Sequence, residues 1–155
     1  MSPSRLATAS KPEPELCVIA AFPEGSLGAA ASSKFPKSKR LLKHSDFQRV
    51  YRSGRRQSTG NVTVSYLRRD GPEAGVGPRV GFTVGKVLGA SVERNRIRRR
   101  MREAVRASLS SCEEPVDVVF NPRKSVLTLP FAELADEVGR ALRLAAQHAR
   151  VARQK

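Results

Sequence analysis

The stretch from Glu93 to Arg106, ERNRIRRRMREAVR, holds seven arginines in fourteen residues. Through it run Ile97, Met101, Ala104 and Val105, with Ser108 one step beyond, at the spacing of a single helix face. A helix with so narrow an apolar stripe can bury only that stripe, and the rest of its circumference stays in solvent. Ser91 is placed to cap it. Arg94, Arg98 and Arg102 follow one another at i+4, flanked by Arg96 and Arg99. Like charges at that spacing destabilise a helix by roughly 0.2–0.5 kcal/mol per pair, so ordinary solvated faces mix signs. A face that does not mix them points to a polyanion that relieves the repulsion. All seven basic side chains are guanidinium, whose planar fork suits bidentate contact with phosphates and base edges. Asn95 adds an amide near the helix start, able to read a base or hold the neighbouring loop.

The whole chain leans the same way. Its 155 residues allow one ordinary domain plus appendages, and 29 basic against 14 acidic residues leave a net charge of +15. That is beyond what solubility asks for, and it selects nucleic acid or an anionic membrane as partner. The longest apolar run, Val18–Phe22 after Leu16 and Cys17, is too short to span a bilayer. Glu13 and Glu15 before it, and Pro23-Glu24-Gly25 after it, do not suit a secretory signal. No membrane partner is expected. Cys17 and Cys112 stand far apart in unlike contexts, which reads as two reduced thiols in a cytoplasmic protein rather than a disulfide framework.

Residues 1–34 are rich in Ser, Ala and Pro with zero net charge, and are expected to be a disordered extension; residues 35–155 form the domain. Within it, Phe47, Val50 and Tyr51 mark a helix over His44–Arg52 that Gly54 stops. Asn61–Arg69, NVTVSYLRR, reads as a strand, residues 70–78 as a loop and RVGFTVG, 79–85, as a second strand. VDVVF, 116–120, is a third, and Arg56–Thr59 is a candidate for a short fourth. From Pro130, Phe131, Leu134, Val138, Ala141, Leu142 and Ala145 trace a last amphipathic helix. The order predicts an α+β fold: a two-layer sandwich of three helices and a mostly antiparallel sheet of about four strands.

Catalytic groups are scarce. His44 and His148 lie on helices at opposite ends of the domain, and acids sit mostly away from the basic segments. No Cys/His spacing suits zinc. GFTVGK, Gly81–Lys86, is one residue short of a phosphate-binding loop, and Val87 replaces the hydroxyl that would hold magnesium. No catalytic or metal-binding residues are assigned, and the chain is read as a binding protein.

A DNA-reading basic zipper would need leucine heptads after the helix, and ASLSSCEEP supplies none. VGFTVGKVLGASVERNRIRRRMREAVR, residues 80–106, closely resembles the signature of the protein subunit of bacterial ribonuclease P, with Arg94-Asn95-Arg96 as its core. HSDFQRVYRSG, 44–54, resembles the family's opening helix, with Phe47 and Tyr51 at its aromatic positions, and VDVVFNPRK its last strand. The resemblance covers about residues 37–150. Val87 departs from it where a second lysine is usual, and Ser65 where an aromatic is common.

The resemblance implies a partner, the catalytic ribonuclease P RNA, and a substrate, precursor tRNA, whose 5′ leader the holoenzyme removes. The RNA and its Mg²⁺ would carry the chemistry, with one protein per RNA. Lys86, Arg94, Asn95, Arg96, Arg98, Arg99 and Arg102 would contact RNA, with Asn95 fixing the helix start. Phe47 and Tyr51 would stack on the leader. A left-handed β-α-β crossover is implied as well, against the usual right-handed rule. The rival readings are a ribosomal protein and a DNA-binding transcription factor; the first lacks a reason for the Arg-Asn-Arg helix beside an aromatic pair, the second lacks a dimerisation element.

Overall fold

The computed structural model describes residues 35–155 apart from Glu73; the expected extension, residues 1–34 with Cys17, lies outside the described residues. The elements run α1 (His44–Ser53), β1 (Arg55–Ser58), β2 (Val62–Arg68), β3 (Arg79–Phe82), α2 (Ser91–Ser108), β4 (Val116–Pro122) and α3 (Phe131–Gln154). The sheet order is β1-β2-β4-β3. β2 pairs antiparallel with both β1 and β4, whereas β3 and β4 are parallel. Parallel neighbours need a crossover, and α2 is that crossover. The strand expected over 79–85 stops at Phe82, because the chain turns at Gly85 into the short 3₁₀ segment Lys86–Leu88.

Alternation along the strands sorts the sheet into two faces. Val62, Val64 and Tyr66 of β2, Val80 of β3 and Val116, Val118 and Phe120 of β4 share one core with α2 and α3. Ile97, Met101 and Val105 enter it from α2, and Leu134, Val138 and Leu142 from α3. Fully burying a side chain of this kind stabilises the fold by roughly 1.5–3 kcal/mol. The opposite face carries α1, through Val50 packed on Leu41 and Val119 with Phe47 and Leu67 at the margin. Gly54 ends α1 for a steric reason: its φ of −81° is ordinary, but a Cβ there would lie 2.3 Å from the Val50 carbonyl and 2.7 Å from that of Tyr66.

Two buried carboxylates tie these layers together. Asp117 of β4 is 1% exposed and accepts two hydrogen bonds from Arg79, Nε at 2.8 Å and Nη2 at 2.7 Å. Arg79 also reaches Asp46 of α1 at 3.5 Å, which fixes the helix to the sheet, and Arg69 lies 3.2 Å from Asp117. The hydrogen bonds to Asp117 hold the Arg79 guanidinium above its ordinary pKa, while burial lowers that of Arg69. Glu137 of α3 accepts from the Asn61 backbone N–H at 2.8 Å, from Asn61 Nδ2 at 3.0 Å and from the Val62 N–H at 3.2 Å. Burial alone would raise its carboxyl, but the donors from Thr59, Asn61 and Val62 outweigh it and leave it below the ordinary glutamate value.

Glu137→Gln keeps the shape and removes the charge. Because a charged acceptor is lost to buried donors, the variant is expected to be roughly 1–3 kcal/mol less stable in urea unfolding at neutral pH. A carboxyl depressed in the folded state contributes its full increment above the unfolded glutamate value, about pH 4.3, and loses it as pH falls through the folded value. The gap between wild type and variant should therefore shrink on acidification through that range. An unchanged gap at acid pH would show that the carboxylate charge contributes nothing.

Candidate nucleic-acid interface

α2 packs by the expected stripe, with Ile97, Met101, Ala104, Val105 and Ser108 all buried. Its start differs from expectation. Ser91 is the first helical residue rather than the cap, and the cap position is Ala90, which has no side-chain acceptor. Glu93 holds the turn instead, its carboxylate accepting the Ala90 N–H at 3.1 Å, where a negative charge also suits the helix dipole. Asn95 therefore does not fix the helix start. It is exposed, and its Oδ1 accepts from Arg98 Nη1 at 3.2 Å.

The seven arginines divide by what they touch. Arg100 turns inward and donates to the Leu127 carbonyl at 2.7 Å and to that of Leu129, clipping α2 to the segment before α3. Arg106 pairs with Glu103 at 2.8 Å. Arg94, Arg96, Arg98, Arg99 and Arg102 form no ion pair among the described residues. Arg96, Arg99 and Arg102 are exposed, while Arg94 and Arg98 are half-buried. Lys86 is exposed in the turn ahead of the helix, and Val87 beside it is 97% exposed, an aliphatic side chain standing free in solvent.

α1 presents the aromatic pair on one side. Phe47 is half-buried, its ring lying over Gly81, where an added Cβ would come within 2.5 Å of it. Tyr51 is 46% exposed, and its hydroxyl donates to Asn121 Oδ1 at 2.9 Å and accepts from Thr83 Oγ1 at 2.8 Å. That two-point anchorage fixes the ring while leaving nearly half of the residue in solvent. Ser65 is buried opposite Val119, on the face that α1 covers, and offers no stacking surface.

The fold also gathers residues that sequence reasoning did not single out. The segment Phe35–Leu42 runs beside β3, Leu41 donating its N–H to the Val80 carbonyl at 2.9 Å. This brings Arg40 and Leu42 to a cleft of about 210 Å³ whose other walls include Phe47, Phe82, Arg98 and Arg102. Arg123 is a second case, exposed and braced by the Gly60 carbonyl at 3.2 Å and Ser58 Oγ at 3.1 Å. Neither cluster has a local sequence signal, because its members come from separate elements. His44 is held by Gln48 at 3.1 Å, and His148 by the Tyr66 hydroxyl at 2.5 Å. Among the described residues no three His, Cys, Asp or Glu side chains are grouped to hold a metal, and no helix is long and apolar enough to cross a membrane.

Known proteins are similar to this chain in sequence and in fold. The family model described as Ribonuclease P matches residues 35–146. The ribonuclease P protein component of Ruegeria pomeroyi is 45% identical over 105 residues, 66% of this chain and 82% of that protein. The corresponding component of Chloroflexus aggregans is 40% identical over 112 residues, 70% of this chain and 78% of that protein. The structure of the Staphylococcus aureus RNase P protein superposes with a TM-score of 0.59 at 26% identity, covering 70% of this chain and 96% of that one. The Thermotoga maritima RNase P protein, at 21% identity and a TM-score of 0.59 over 67% of this chain and 94% of that one, shares the fold. On its sequence, its α+β fold and these relatives, the chain belongs to the bacterial ribonuclease P protein family, the accessory protein component of the endoribonuclease that processes tRNA 5′ ends.

Proposed function

We propose that this chain holds the catalytic ribonuclease P RNA with the free arginine face of α2 and steadies the 5′ leader of precursor tRNA along α1, one protein per RNA, in the cytoplasm. The observation that carries the reading is the set of five α2 arginines that have no acidic partner among the described residues, on a helix whose inner stripe is wholly packed. Rigid anchorage means that those guanidinium groups meet a folded RNA with little ordering cost beyond their own side chains. Lys86 extends the same cationic surface ahead of the helix, and Asn95 adds donors and an acceptor between Arg94 and Arg96.

A single-stranded leader asks for a different surface, a stacking platform beside cationic groups. Tyr51 supplies it, its ring fixed by Thr83 and Asn121. Phe47 serves there only with the part of its ring that is not packed on Gly81. Hydrolysis of the phosphodiester belongs to the RNA subunit and its Mg²⁺, and the protein contributes binding and orientation. The test is reconstitution: added to ribonuclease P RNA at low Mg²⁺, the chain should restore 5′ maturation of precursor tRNA, and the rigorously RNA-free chain should cleave nothing. Specific cleavage by the protein alone would overturn the division of labour.

Arg96→Ala and Arg99→Ala should each weaken binding to the RNA subunit. Each lost phosphate contact should flatten the slope of log affinity against log salt by roughly 0.7–0.9, the counterion-release value. A variant that loses affinity with an unchanged slope would place its arginine off the phosphate backbone.

Tyr51→Ala should leave assembly with the RNA subunit intact and weaken holoenzyme binding to precursor tRNA by roughly 1–3 kcal/mol, with little change for mature tRNA. The loss should depend weakly on salt. Thermal unfolding is the control, and a folded variant that still discriminates precursor from mature tRNA as wild type does would remove Tyr51 from the leader path.

A further inference from the structure

The stripe that anchors α2 settles which face of the helix is buried, but it resists a roll about the helix axis only through packing. Apolar burial has no preferred direction. Two of the five stripe residues, Ala104 and Ser108, are also small. A hydrogen bond does have a direction and weakens steeply off line. Arg100 supplies two of them. At 3.6 residues per turn it stands on one flank of the stripe, with Arg96 a turn before it. Arg98 and Arg102 stand on the other flank, in the wall of the cleft beside β3.

The carbonyls that Arg100 reaches are themselves fixed. Leu127 closes the 3₁₀ segment Lys124–Leu127, and Leu129 lies two residues on, directly before the Pro130 that takes the cap position of α3. Val126 of that segment is wholly buried in the shared core. The N–H groups of Thr128 and Leu129 both donate to the Ser125 carbonyl, at 3.1 and 3.0 Å. Against this fixed turn Arg100 donates from Nη1 to the Leu127 carbonyl at 2.7 Å and from Nη2 to that of Leu129. A planar guanidinium engaged at two points sets distance and angle together. Arg100 is half-buried and forms no ion pair among the described residues. The exposed guanidinium groups of α2 stand about 6 Å from the helix axis, so a roll of about 20° would carry them through about 2 Å. That exceeds the spread of about 0.5 Å within which N–H···O hydrogen bonds form.

We infer that Arg100 is a positioning residue for RNA binding: by fixing the roll of α2 against the segment before α3, it sets the register in which Arg96 and Arg99 meet phosphates of the RNA subunit. The inference rests on the RNA-binding reading above, and it adds a residue that acts through protein backbone.

Arg100→Lys keeps the charge and the stem but cannot engage two carbonyls through a planar fork. It is made in the full-length chain, alone and together with Arg96→Ala, and wild type, each single variant and the double are titrated with ribonuclease P RNA. Thermal unfolding places the assay below the melting temperature of each protein. Arg100→Lys should weaken binding roughly five-fold although net charge is unchanged, and in its background Arg96→Ala should cost roughly two-fold less than in wild type, because an arginine already out of register has less to lose. Losses that simply multiply would show that Arg100 does not place Arg96. Undiminished affinity of Arg100→Lys, whatever its melting temperature, would leave Arg100 a structural clip. Either result overturns the inference and leaves the RNA-binding reading standing. Should Arg100→Lys unfold before it can be titrated, Arg100→Met, which keeps the packed stem, takes its place, and its coupling to Arg96→Ala is read in the same way. The reading beneath fails differently: Arg96→Ala alone would bind the RNA as wild type does, and both would fall.

Discussion

α2 is packed into the core shared with the sheet and α3 by one stripe of five side chains, and most of the charge on that helix leaves by the remaining arc. The stripe sits in the core because β3 and β4 are parallel, so the segment between them must cross the sheet instead of hairpinning back. Hydrophobic burial thus fixes the helix, and the arginines are consequences of where it lies. Were the stripe wider, fewer positions would be left for charge; were it narrower, the helix would lack the packing to hold like charges at i+4.

Charge inside the domain follows a different rule from charge on its surface. Asp117, Asp46 and Glu137 are buried and answered by Arg79, by Arg69 and by the donors of the β1–β2 turn. Removing one member of such a set strands the other, so these contacts specify geometry more than they add net stability. Their effect is to set α1 on one sheet face and α3 on the other. On α2 the opposite holds: among the described residues five guanidinium groups form no ion pair, and the proposed function gives that pairing to RNA.

The two surfaces proposed for RNA meet at one place. Phe47 belongs to the aromatic pair of α1, yet it shares a cleft with Arg98 and Arg102 of α2. Gly81 permits this, since a side chain there would collide with the Phe47 ring. Side chains of α1 and α2 therefore line one cleft, although their helices lie in separate layers of the fold.

Much of this was legible in the residues themselves. Period-3.6 and period-2 patterns place all three helices and β2, β3 and β4 within a few residues, and the buried stripe of α2 was readable position by position. So was the family, from the long motif at 80–106. Those signals are local, each carried by residues within one or two turns of each other. What needed tertiary structure was the choice of partner across long separations. Arg100 looks like its six neighbours in the sequence, yet it turns inward because carbonyls 27 and 29 residues away lie beneath it. Ser91 looks like a cap, but the helix begins with it, Ala90 takes the cap position, and Glu93 accepts the Ala90 N–H. Glu137 carries no signal at all until Asn61, 76 residues earlier, is brought against it. Periodicity tells a residue which way to face; only the packed sheet and helices decide what it meets there.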